Sequence, residues 1–157
     1  MPGKTLIVLG SGPGIGVGVA STFSVRGFTH VALISRDKER LAQDQDRVLD
    51  AIQERGYTCQ VKTWVCDISN LDQLKQTLAD LESFGGLECV LFNAARVAGK
   101  PPLEETTEAI EQDFRVGILT DPWIRCCFPP CTDRFVVDQS RSVRDSKMGH
   151  ATSQEGS

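Results

Sequence analysis

The chain has 157 residues, which suits one domain with a single core, and its 40% hydrophobic and 24% charged residues are those of an ordinary globular protein. Its 17 Lys and Arg against 21 Asp and Glu leave a formal net charge of −4, which argues against a nucleic-acid backbone as main partner. No apolar run approaches the roughly 20 residues of a membrane span, and the N-terminus enters an apolar strand instead of a signal sequence, so no membrane partner and a cytoplasmic location are expected.

Lys4 to Leu9 reads as a buried strand, and Gly10-Ser11-Gly12-Pro13-Gly14-Ile15-Gly16 follows it directly. A glycine-rich turn between a strand and a helix permits positive φ and close backbone approach. The free N–H groups and positive dipole end of the next helix attract phosphates. The turn therefore points to a nucleotide, against the plainer reading of a tight turn that binds nothing. Ile15 to Arg26 continues as a mostly apolar helix through Val17, Val19, Ala20, Phe23 and Val25, ending near Gly27.

His30 to Ile34 is a second strand, and Asp37 to Arg55 a long charged helix whose Leu41, Val48 and Ile52 form one buried stripe. A third strand runs from about Cys59 to Cys66. After Asp67, a helix from about Leu71 to Phe84 places Leu71, Leu74, Leu78 and Leu81 on one face. Gly85-Gly86 ends it, and Leu87 to Phe92 is the fourth strand. Lys100-Pro101-Pro102 forces a loop before Leu103 to Leu119 resumes helical spacing through Ile110, Phe114 and Ile118. Alternation of this kind predicts a Rossmann-like doubly wound parallel sheet with helices on both faces, because each right-handed crossover lays its helix over the sheet. Cys59, Cys66 and Cys89 fall in apolar strand segments and read as small reduced hydrophobes.

With the elements placed, residues 4–119 resemble the N-terminal, cofactor-binding half of the short-chain dehydrogenase/reductase family. Gly10, Gly14 and Gly16 take the places of that family's three glycines with Ile15 between the last two, although Leu9 stands where threonine is usual. Asp67-Ile68 is similar to its acidic-apolar pair beside the adenine ring. Phe92-Asn93-Ala94-Ala95 is similar to its Asn-Asn-Ala-Gly element, departing at the first and last positions. The resemblance implies a dinucleotide held by Gly10, Ser11, Gly14, Ile15, Gly16, Ser35, Arg36, Asp67, Ile68, Asn93, Ala94 and Ala95. Charge bears on which one. An acidic residue ending the second strand would accept the ribose hydroxyls of NAD, whereas Ser35-Arg36 offers a hydroxyl and a guanidinium suited to a 2′-phosphate. NADP is thus favoured over NAD; the competing reading makes Arg36, Lys38 and Arg40 the solvated start of a helix.

The family's chemistry resembles acid catalysis by a tyrosine whose phenol is activated by a lysine four residues later, with a serine polarising the carbonyl. The one tyrosine, Tyr57, enters the third strand with Lys62 five residues on, and the family's helical asparagine falls at Gly117. Ser146 and Lys147 near the C-terminus are spaced like the family's helix, but Val143 stands where the tyrosine belongs. No catalytic residue is nominated. Cys126, Cys127, Cys131 and His150 match no common zinc spacing, so no metal is expected.

From Thr120 the sequence changes character, and 120–157 reads as an irregular or disordered tail with a short strand at Arg134 to Val137. Without further strands the fourth would be an exposed apolar edge, to be covered by the tail, another chain or a second copy. The expectation is a truncated member of the family, an NADP-dependent carbonyl/alcohol oxidoreductase by resemblance but with little activity of its own. The alternatives are a non-catalytic NADP-binding protein or partner subunit, and a fragment from a gene model that reads through an intron or past a frameshift.

Overall fold

The computed structural model describes residues 3–94 and 104–116, together with the backbone of residues 135–138. Five strands form one parallel sheet in the order β3-β2-β1-β4-β5: β1 (Lys4–Leu9), β2 (His30–Ser35), β3 (Gln60–Val65), β4 (Gly86–Phe92) and β5 (Phe135–Asp138). Between them run α1 (Ile15–Ser24), α2 (Lys38–Glu54), α3 (Leu71–Glu82) and α4 (Thr107–Phe114). The alternation and the parallel sheet match the expectation from sequence.

Neighbouring residues of each central strand serve opposite faces. Leu6, Val8, Val31 and Leu33 pack with Val17 and Ala20 of α1 and with Leu41, Val48 and Ile52 of α2. Ile7, Leu9, Ala32 and Ile34 pack with Leu74, Leu78 and Leu81 of α3. Because both faces are covered, Thr5 to Leu9 is buried without a break, as a parallel strand between two helical layers must be. Cys66 and Cys89 are buried and Cys59 is half-buried, all three as free thiols; Cys59 and Cys66 flank β3 instead of lying in it.

Two expectations change. First, α4 is seated by Ala109, with Val116 just beyond its end against the α3-side cluster, while Ile110 and Phe114 stay 53% and 52% exposed. Ala109, Gln112 and Val116, spaced three and then four, fall on one face; the more apolar pair lies one step around the cylinder. The second is narrowed: of the tail, another chain or a second copy, it is the tail that covers the β4 edge. Phe135–Asp138 pairs with it in parallel, Cys89 opposite Phe135 through Phe92 opposite Asp138, one residue later than the strand expected at Arg134 to Val137. The backbone N–H and C=O groups of β4 are met from the same chain, so an oligomer is not required to cover them. Gly117, the cysteines and histidine proposed and rejected as a zinc set, and Val143 to Lys147 lie outside the described residues.

Candidate functional site

The strand order reverses at β1: the chain proceeds to β2 and β3 on one side, and β4 takes the other. In open α/β sheets this switch point leaves a crevice beyond the carboxyl ends of the strands. Leu9 and Phe92 end the two strands there, and the glycine-rich turn springs from β1 into the gap.

Gly10 is fixed from three sides. Its N–H and that of Ser11 both donate to the Ile34 carbonyl at 2.9 Å, and its own carbonyl accepts the Asn93 side-chain amide at 3.0 Å. The Asn93 N–H donates to the Leu9 carbonyl at 2.8 Å, extending the β1–β4 ladder by one bond. With φ at +88°, and with any Cβ 2.5 Å from the Ala94 backbone, only glycine fits here. Gly16 is close-packed for another reason, since a Cβ there would meet the Ser11 Cα at 3.2 Å. Gly14 is different again: a Cβ would have nothing within 4 Å. Its lack of a side chain leaves an open approach to the start of α1.

That start is chemically bare. Gly14, the N-cap of α1, makes no side-chain capping bond, and the first turn carries no acidic residue. By contrast Asp37 caps α2 through the Arg40 N–H at 3.0 Å, Asn70 caps α3 through Gln73 N–H at 3.1 Å, and Thr106 caps α4 through Ala109 N–H at 3.2 Å. The Val17 N–H donates to the Gly12 carbonyl at 3.0 Å, while the Ile15 and Gly16 N–H groups have no side-chain acceptor among the described residues, which leaves these two for an anion.

An open cavity of about 180 Å³ lies beside this turn, lined among others by Gly10, Ser11, Ser35, Arg36, Asp67, Ile68, Asn93 and Ala94. Eight of the twelve residues expected to hold a dinucleotide thus share one lining. Gly14, Ile15 and Gly16 form the start of α1 instead of the cavity wall, and Ile15 is half-exposed; Ala95 lies outside the described residues. Asp67 is held in place: its Oδ1 accepts the Ser69 N–H and hydroxyl at 2.9 and 2.7 Å, and its own N–H donates to Gln73 Oε1 at 3.0 Å. Ile68 beside it is buried in the α3-side cluster.

Arg40, Gln112 and Val116 also line the cavity and were not expected. Arg40 could have been found, since it lies four residues after Arg36 at the start of α2; Gln112 and Val116 come from a helix whose placement only the tertiary structure sets. Among the described residues, neither Arg36 nor Arg40 has a carboxylate within salt-bridge distance. Cys66 lines the same cavity, with burial pushing its thiol pKa up, so it is held as a neutral thiol. Tyr57 is 53% exposed and is absent from the lining. Among the described residues there is no group of three His, Cys, Asp or Glu able to hold a metal ion, and no helix long and apolar enough to cross a membrane.

A doubly wound parallel sheet with a bare glycine-rich helix start at its switch point defines a fold of the Rossmann class. The KR domain family model matches residues 4–144, past the change in character at Thr120 and through β5. The chain therefore belongs to the short-chain dehydrogenase/reductase family, of which it represents an N-terminal segment.

A short-chain dehydrogenase/reductase 3 from Bos taurus is 27% identical over 128 residues, 81% of this chain and 40% of that protein. A 3beta-hydroxysteroid dehydrogenase from Mediterraneibacter gnavus is 31% identical over 137 residues, 87% of this chain and 45% of its own length. The chain thus spans less than half the length of these relatives. Among solved structures, L-sorbose reductase from Gluconobacter frateurii complexed with NADPH and L-sorbose superposes with a TM-score of 0.66 at 20% identity, covering 80% of this chain and 46% of that one. NAD+-bound xylitol dehydrogenase gives 0.62 at 22% identity, covering 74% and 43%.

Proposed function

We propose that this chain binds a nicotinamide adenine dinucleotide, NADP(H) in preference to NAD(H), as the cofactor-binding part of an oxidoreductase that interconverts a carbonyl and an alcohol on a small molecule. The observation that carries the proposal is the meeting of an uncapped glycine-rich helix start with an open cavity beside two guanidinium groups that have no carboxylate partner among the described residues. The pyrophosphate takes the first-turn N–H groups of α1 across the space left by Gly14. Asp67 and Ile68 sit at the adenine end. Arg36 and Arg40 receive a 2′-phosphate, which NAD lacks. When bound, such a cofactor supplies the hydride; the protein's part is to hold and orient it. Relatives of similar fold include both an NADPH complex and an NAD+ complex, so the preference rests on the two arginines.

The reaction itself needs a proton donor at the carbonyl. The single tyrosine of this chain is exposed and off the cavity, and no Tyr-x-x-x-Lys occurs anywhere in the sequence. The 157-residue chain by itself accordingly binds cofactor without turnover. Fluorescence titration of the full chain with NADPH and NADH tests both parts. Saturable binding, tighter for NADPH and lost in Gly14→Trp, is expected. Absence of binding to a folded sample refutes the proposal, and NADPH oxidation with any ketone refutes the claim of catalytic incompleteness.

A further inference from the structure

The stripe that α2 turns to the sheet contains a charge. Leu41, Val48 and Ile52 are joined on it by Asp44, whose side chain is completely buried. Its Oδ2 accepts the Ser11 hydroxyl at 2.8 Å, while Oδ1 has no hydrogen-bond partner among the described residues; the Arg47 guanidinium stands 3.8 Å from it. An apolar residue in this place would complete the stripe without that penalty, because a buried carboxylate with one orphaned oxygen lowers stability.

Ser11 explains what the carboxylate touches. Its N–H goes to the Ile34 carbonyl and its hydroxyl proton to Asp44, so both donors of this residue point away from any phosphate. Ser11 is therefore tied inward to β2 by its backbone and to α2 by its side chain, between Gly10 and the bare start of α1. The same helix carries Arg40 at its first turn. Asp44 thus links the segment that meets the pyrophosphate to the helix that meets the far end of the ligand.

We propose that Asp44 is a positioning residue, holding the glycine-rich turn in its binding-ready shape through Ser11 and setting its distance from Arg36 and Arg40. The proposal rests on the dinucleotide-binding reading for its consequence, but the tie can be tested without ligand. Preorganisation of this sort acts on affinity by limiting the conformations a loop must give up on binding.

The test uses three full-length variants. In Ser11→Ala with Asp44→Val, both polar partners are replaced together, so no charge is left stranded and the fold is retained. Ser11→Ala alone strands the carboxylate, and Asp44→Asn keeps an acceptor for the Ser11 hydroxyl. Hydrogen exchange of the apo-proteins is expected to show the amides of Gly10 and Val17, which are hydrogen-bonded to the Ile34 and Gly12 carbonyls, exchanging about tenfold faster in the double variant, with α3 unchanged and Asp44→Asn close to the parent. The Kd for NADPH should rise about tenfold in the double variant and recover in Asp44→Asn. Unchanged exchange across the turn in a folded double variant overturns the proposal. Faster exchange with no binding of either dinucleotide by the parent chain upholds the tie and refutes the functional reading instead.

Discussion

The first two helices begin alike, just past the carboxyl ends of adjacent parallel strands, yet their first turns have opposite chemistry. At α2 the chain supplies its own anion: Asp37 accepts the Arg40 N–H, and Glu39 lies in the first turn. At α1 it supplies none, and the N-cap is a glycine whose absent side chain leaves open space. Both arrangements meet the same requirement, a partner for N–H groups that no helix can satisfy internally. The difference teaches where the ligand belongs: a helix start left bare beside a cavity is a place where something outside the chain completes the structure.

The largest effect should come from Gly10, the residue that ties the end of β1 to β2 and to the residues after β4. Gly10→Ala forces a Cβ into the Ala94 backbone at a positive φ, and should lower stability by about 3 kcal/mol or more and Tm by about 10 °C, read by circular dichroism. Next, Gly14→Asp converts α1 into a copy of α2 by giving it an anionic cap. With open space around that position the fold should be kept, Tm moving by less than about 3 °C, while NADPH binding weakens about a hundredfold in titration. Loss of folding in that variant would show that the bare start is a packing requirement and not a phosphate site.

Two changes at α2 sharpen the contrast. Replacing Arg36 and Arg40 together by Gln should weaken NADPH about thirtyfold and NADH by less than about twofold, measured as paired dissociation constants. Asp37→Ala removes only a cap, so it should cost about 1 kcal/mol in denaturant unfolding and leave NADH affinity where it was.

The smallest effect concerns the core beneath both helices. Burial pushes the Cys59 and Cys89 thiols from 9.0 up to about 11, Glu88 adding to the rise at Cys89. A thiol that holds its proton more tightly folded than unfolded contributes stability that is complete below pH 9 and declines as pH rises toward 11. Urea unfolding at pH 8 and pH 10.5 should therefore show the midpoint falling, and Cys89→Ala should reduce that slope.

Much of this was legible in the chain itself. The strands from Lys4, His30, Gln60 and Gly86 stand within a residue or so of where apolar runs and turn residues put them. The cavity lining brings together Gly10, Ser11, Ser35, Arg36, Asp67, Ile68, Asn93 and Ala94, eight of the twelve motif residues, without Gly14, Ile15 or Gly16. Asp44 was missed because stripe reading counts apolar side chains, although it falls three residues after Leu41 and four before Val48, at the phase of the buried face. The seating of α4 was misjudged for a related reason. Ile110 and Phe114 carry the stronger apolar signal, but Ala109 is the residue of α4 that is buried, and Val116 packs on the α3-side cluster.

By itself, then, the sequence determined the order and type of the elements, because apolar periodicity and turn chemistry act over a few residues. It also pointed to a phosphate-bearing ligand, because a glycine-rich strand-to-helix turn brings backbone N–H groups to a helix start. Only the tertiary structure decided which glycine is compelled by packing and which leaves room for a ligand, that β5 closes on β4, and that Asp44 reaches Ser11. Those outcomes depend on distances between segments far apart in the chain, which no local pattern encodes.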